Sequence, residues 1–180
     1  MTRQGRAVAA AVAAAVLAAS ALASACAPGS RTSLSRGRAA PDFSLASLGG
    51  GGTVALGDLR GKVVLLHFWA TWCAPCKLET PRLVDLDRRY RSAGLAILGV
   101  SMDDAGQEQA AAAFAARHGV TFPVLRGTDD IARAYGGIRL LPTSVLIGRD
   151  GALLETIAGL RGEEELEAAV RRALAARPGG

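Results

Sequence analysis

The sequence predicts an α/β domain organised around a mixed β-sheet with helices on its faces. Three observations carry this. "KVVLLHFWA", Lys62 to Ala70, is an almost unbroken apolar run with β-branched and aromatic residues, the pattern of a strand buried on both sides. A helical pattern follows it directly, and the same strand-then-helix order resumes at "LAILGVS", Leu95 to Ser101. Near the end, Thr143 to Gly159 places two apolar stretches around Arg149-Asp150-Gly151, a hairpin that adds antiparallel strands to the parallel ones. The 180 residues suffice for one domain with a full core and would crowd a second.

The chain opens differently. Arg3 and Arg6 precede the uncharged small and apolar stretch Ala7 to Ala25, and Cys26 follows at once. That layout is an export signal, so residues 1–25 are expected to be a signal peptide and the domain to work outside the cytoplasm. Two processing readings fit. Ala23-Ser24-Ala25 suits ordinary signal peptidase, whereas "LASAC" resembles a lipobox that would leave Cys26 lipidated, with Ala23 where leucine is usual. The lipoprotein reading is carried forward, with plain secretion as its alternative. An uncleaved membrane anchor is disfavoured because alanine makes a weak span. Residues 26–40, rich in Pro, Gly, Ser and Arg without hydrophobic period, are expected to be a flexible tether. As a coil they would reach roughly 20 Å. Their arginines read as solvated linker rather than as a lipid-binding patch.

The domain is expected over residues 41–177. "DFSLASL" and "TVALGDL" flank Gly49 to Gly52 and predict two short strands or a hairpin. After the central strand, Ala74 to Gly94 reads as a helix with Leu83, Leu86 and Tyr90 at helical spacing and basic residues in its last turns. Pro81 lies inside it and is expected to bend it. Gly106 to Gly119 predicts a second helix, "FPVL" a short strand, "DDIARAYG" a third helix, and Glu163 to Arg177 a closing helix with acids first and arginines last.

Charge narrows the function. The net charge is +5, and without residues 1–25 it is 19 basic against 16 acidic side chains, or +3. No basic cluster with interleaved aromatics is present, which argues against a nucleic-acid partner.

The cysteines carry the chemistry. With Cys26 lipidated, Cys73 and Cys76 are the remaining thiols, in a compartment where thiols are oxidised. A zinc site would need two more ligands, and His67 and His118 have no paired spacing, so no metal is expected. A disulfide closing so short a loop removes little unfolded-state entropy, so a stabilising staple is a weak reading as well. Redox chemistry remains. Cys73 falls where strand gives way to helix, where unpaired N–H groups and the helix dipole favour its thiolate, so it is the expected nucleophile. Cys76, one turn deeper, is the expected resolving thiol. Pro75 suits the first helical turn.

"FWATWCAPCKLETP", Phe68 to Pro81, together with "LLPTSVLIGRDG", Leu140 to Gly151, resembles the thioredoxin fold, and specifically the extracytoplasmic TlpA/ResA-type thiol-disulfide oxidoreductases, relatives of the cytochrome c maturation thioredoxins. The resemblance covers Pro41 to about Ala176 and includes, at Ser101 to Leu125, the central insertion that separates this branch from minimal thioredoxins. It implies that Pro142 is a cis-proline facing the dithiol beside a backbone that pairs with substrate. It also implies that Glu79 is an acid assisting proton transfer at Cys76; its plain alternative is an exposed acid near a helix N-terminus. The implied substrates are disulfides of exported proteins, with apocytochrome c among them. Nothing in the chain suggests a nicotinamide or flavin site, so no cofactor is expected and electrons would come from a separate membrane thiol donor.

Neighbouring residues have two readings each. Trp72 and Thr143 are expected at the substrate surface, with packing an equal reading for Trp72; Trp69 reads as packing. His67 stands where thioredoxins carry a buried acid and reads as a hydrogen-bonded core residue ahead of a proton acceptor for Cys76. His118 reads as a helix-end or surface residue. Asp103 and Asp104 read as caps of the next helix rather than metal ligands. A peroxiredoxin-type thiol peroxidase is the nearest rival, but its P-x-x-x-T-x-x-C pattern is missing: Thr71 stands two residues before Cys73, not three, with no proline four before it. A noncatalytic surface lipoprotein is disfavoured by the intact pair of cysteines.

Overall fold

A computed structural model describes residues 36–176. The expected signal peptide, the lipidation position Cys26 and most of the expected tether lie outside them. The strands are β1 (Ser44–Ala46), β2 (Thr53–Ala55), β3 (Val63–Trp69), β4 (Leu95–Ser101), β5 (Val124–Arg126), β6 (Thr143–Ile147) and β7 (Leu153–Ala158). The helices are α1 (Ala74–Tyr90), α2 (Glu108–Arg117), α3 (Asp129–Ala134) and α4 (Glu163–Ala175).

The sheet has the order β5-β4-β3-β6-β7. β3 runs parallel to β4 and β4 to β5, while β6 is antiparallel to both β3 and β7. It is therefore mixed, as the strand–helix alternation and terminal hairpin require. β1 and β2 form a separate antiparallel hairpin, which reaches the edge of the main sheet through a Ser47–Leu125 bridge and the Leu48 N–H donating to the Val124 carbonyl. This covers an edge that would otherwise offer unpaired backbone groups.

Every residue of β3 is buried, and its alternation sorts them onto two faces. Val64, Leu66 and Phe68 pack with Leu98, Val100, Ile131 and Tyr135 on the side of α3 and the hairpin. Val63 and Leu65 pack with Leu83, Leu86, Leu166 and Val170 on the side of α1 and α4. His67 and Trp69 share this second alternation, so the histidine is buried by register rather than by its own chemistry. Gly99 lies beside them on β4. A Cβ there would come within 3.1 Å of Trp69 Nε1 and 3.3 Å of Phe122, so a side chain at this position would crowd both rings.

Residues 37–40, expected in the tether, instead join the domain. Gly37 N–H donates to the Leu153 carbonyl, Leu153 N–H to Arg38, and Ala39 bridges Ala152. α1 passes through Pro81 as one helix and ends at Tyr90, before Gly94, whose φ of +97° favours glycine.

Candidate active site

The site is built where β3 ends. Ala70 to Trp72 turn away from the sheet, and Cys73 is the N-cap of α1, its backbone extended (φ −80°, ψ 102°). Its sulfur accepts a hydrogen bond from the Cys76 backbone N–H at 3.2 Å, meeting one of the unpaired donors of the first helical turn. Pro75 sits within that turn, where no N–H is needed. Cys73 and Cys76 are joined as a disulfide. Both are buried, Cys76 completely and Cys73 with 4% of its surface accessible, so attack from outside can reach only Cys73.

Two further elements complete the surroundings. The Leu141–Pro142 peptide bond is cis, and Leu141 packs against the cluster that holds both cysteines, Trp69 and Phe114. Trp69 is thus core, its ring 5.0 Å from that of Phe114. Trp72 is not: it is 67% exposed beside the dithiol, which favours the surface reading over packing. Thr143, by contrast, is buried, and its Oγ1 donates to the Leu140 carbonyl at 2.7 Å. Its hydroxyl is thus engaged within the fold. The exposed residue of that segment is Leu140.

Beneath Cys76 lies a polar pocket in the core. Glu79, one turn along α1, points inward and is 2% exposed, so the surface-acid reading does not apply. Burial pushes its carboxyl up to about 7, against weaker pulls downward from the Arg161 backbone N–H and the Arg82 charge. Its Oε2 has no hydrogen-bond partner and stands 3.6 Å from Nδ1 of His67. That nitrogen is 2.9 Å from Ser144 Oγ on β6. Burial holds the imidazole near 3, so it is neutral, and the contact with Glu79 is not an ion pair. Thr80 Oγ1 donates to the Cys76 carbonyl at 2.9 Å.

Asp103 does something the sequence did not disclose. The N-cap of α2 is Gln107, so neither Asp103 nor Asp104 caps it. Asp103 instead accepts from the Thr71 backbone N–H (3.0 Å), the Thr71 hydroxyl (2.6 Å) and the Ser101 hydroxyl (2.8 Å), tying the end of β4 to the loop that delivers Cys73. His118 follows α2 at its C-cap, stacked 4.1 Å from Phe114.

A dithiol at the head of the helix after a central strand, beside a cis-proline on a sheet of this order, defines a thioredoxin-like oxidoreductase. Comparison with known proteins agrees: residues 36–156 match the AhpC/TSA family. The thiol-disulfide oxidoreductase ResA of Geobacillus kaustophilus is 38% identical over 138 residues, 76% of this chain and 77% of its own length. That of Bacillus anthracis is 35% identical over 142 residues, 79% of this chain and 80% of its own. A crystal structure of a thiol:disulfide interchange protein of the thioredoxin family from Chlorobium tepidum superposes with a TM-score of 0.71 at 29% identity, covering 78% of this chain and 99% of that one. The chain belongs to the AhpC/TSA family and, within it, to the TlpA/ResA-type thioredoxin-like thiol-disulfide oxidoreductases.

Proposed function

We propose that this oxidoreductase works outside the cytoplasm, held to the membrane by lipid on Cys26, and reduces disulfides of exported proteins, apocytochrome c among them. The observation that carries the chemical part is the N-cap position of Cys73. There a thiolate accepts backbone N–H groups and meets the positive end of the α1 dipole, which commonly lowers a cysteine pKa from about 8.5 to about 7 or below. Cys73 attacks the client disulfide, one client sulfur leaves as thiolate, and a mixed disulfide forms. Cys76 then loses its proton and attacks Cys73 Sγ, expelling the second client thiolate. The client gains two electrons and the enzyme becomes the Cys73–Cys76 disulfide.

Protein clients suit the surface. Trp72, 67% exposed, precedes Cys73, and Leu140, 54% exposed, precedes the Leu141 that packs against the cysteines, so both offer apolar area that a protein chain can cover. The backbone beside Pro142 is placed to pair with an extended client segment, and Glu79 serves proton transfer at Cys76. Anchoring is assigned to lipid because Cys26 follows the apolar stretch directly, in "LASAC". Electrons return from a membrane thiol donor.

One experiment tests these parts together. The full-length Cys76→Ala protein, recovered from membranes, is expected to carry client proteins in mixed disulfides, whereas Cys73→Ala carries few. The reverse pattern would overturn the roles of the cysteines. Recovery from the soluble fraction alone would overturn the anchor.

A further inference from the structure

The polar cluster under the dithiol contains more than a proton-transferring acid requires. Three side chains from three elements meet there: Glu79 from α1, His67 from β3 and Ser144 from β6, with His67 and Ser144 opposite each other in the β3–β6 register. All three are buried, and the one atom left without a partner is Glu79 Oε2, which faces His67 Nδ1 at 3.6 Å. An unpaired carboxyl oxygen in a dry core is costly unless it holds a proton or gains a donor. His67 is the neighbour able to meet either need, because an imidazole nitrogen donates in one tautomer and accepts in the other. Ser144 can follow either choice, since a hydroxyl both donates and accepts.

We propose that His67, held by Ser144, is a positioning residue that keeps the Glu79 carboxyl poised as proton acceptor and donor for Cys76, the pair sharing a single exchangeable proton. The inference rests on Cys76 being the resolving thiol. When Cys76 attacks Cys73 Sγ, the Cys76 proton passes to the Glu79 carboxylate, the S–S bond between the cysteines forms, and the bond to the client breaks. The departing client sulfur keeps the electron pair and takes up the proton as Glu79 returns it. His67 stays neutral throughout. Its contribution is to present Nδ1 to Oε2, with the Ser144 hydroxyl and the Glu79 carboxyl taking turns as that nitrogen's hydrogen-bond partner.

The surroundings isolate this exchange. From α1 the charged group acting on the pair is Arg82, and from the segment before α4 the group is the uncharged Arg161 backbone N–H, both acting on Glu79. From β6 it is Ser144, a polar but uncharged group. On the remaining side, toward β4, β5 and α2, a small cavity beside His67 is walled by Trp69, Thr80, Phe114 and Phe122, none of them charged.

The test uses the oxidised full-length protein and follows Glu79 and His67 by NMR as pH is varied. The Glu79 carboxyl signal is expected to titrate near neutrality, and the His67 ring signals to move with the same midpoint without passing to the imidazolium form. His67→Leu should raise that midpoint and slow thiol release from a preformed Cys73–glutathione mixed disulfide about tenfold, less than the roughly 10²–10⁴-fold of direct proton transfer because His67 acts only through Glu79. Alkylation of Cys73 in the reduced enzyme should not change. His67→Asn, which restores a polar group toward Ser144, should recover most of the rate. An unchanged Glu79 midpoint in His67→Leu, or equal slowing in both variants, would overturn the proposal. Should His67→Leu fail to fold, a native protein whose His67 ring signals stay unmoved while Glu79 titrates near neutrality would overturn it. The titration needs no client, so a wrong assignment of the cysteines would show in alkylation while leaving the shared midpoint intact.

Discussion

His67 and Glu79 hold one proton in different places before and after folding, and this fixes how stability depends on pH. In the unfolded chain the histidine titrates near 6.5 and the glutamate near 4.5; in the folded protein they titrate at about 3 and about 7. Between 4.5 and 6.5 both states therefore carry one proton, on His67 when unfolded and on Glu79 when folded, and the pair contributes no slope. Below that window the unfolded chain binds more protons, and stability falls as pH drops toward 3. Above it the folded state keeps a proton the unfolded chain has lost, and stability falls as pH rises through 7. Single substitutions uncover each half. Glu79→Gln should lose stability as pH falls below 6.5, and His67→Asn should lose it as pH rises above 4.5, in urea midpoints measured across the window. Parallel profiles for both variants and the native protein would contradict the assignment. The cysteines were legible from the sequence because strand end, N-cap and helix follow local rules. Asp103 and Ser144 were not, because their partners lie 32 and 77 residues away and only the sheet register brings them together.

At the scale of elements, α1 must begin at Cys73 and bury Leu83 and Leu86 against the sheet, and Pro81 complicates that. Proline at this position supplies no N–H for the Lys77 carbonyl, yet the helix continues to Tyr90. Pro81 is exposed, so its substitution disturbs no core packing. Pro81→Ala should restore the missing hydrogen bond and raise stability by about 1–3 kcal/mol, read from denaturant midpoints. A loss of stability would mean that the packing of α1 depends on the proline. The long elements were legible because their apolar periods are strong: β3 and β4 fall where the apolar runs lie. The true edge of the domain was not. Gly37 to Ala40 attach through backbone hydrogen bonds to Gly151 to Leu153, which leave no mark in side-chain pattern.

For the molecule as a whole, the path of the chain sets two ends of the sheet apart. Cys73 lies just past the Ala70 to Trp72 turn at the end of β3, while Ala39 joins Ala152 at the start of β7, which runs in the same direction as β3. The chain thus enters the domain at the end of the sheet opposite the dithiol. In the proposed reading, a lipid on Cys26 would raise the effective concentration of the dithiol near a membrane thiol donor. What the geometry must then supply is reducing power, set by how strongly the N-cap environment favours the Cys73 thiolate against the protonation chemistry beneath Cys76. The most direct measurement is the equilibrium potential of Cys73–Cys76 in glutathione buffers. A reductase requires a value near that of thioredoxin, about −270 mV, whereas a value near the oxidising extreme, about −120 mV, would make the protein a disulfide donor and contradict the account.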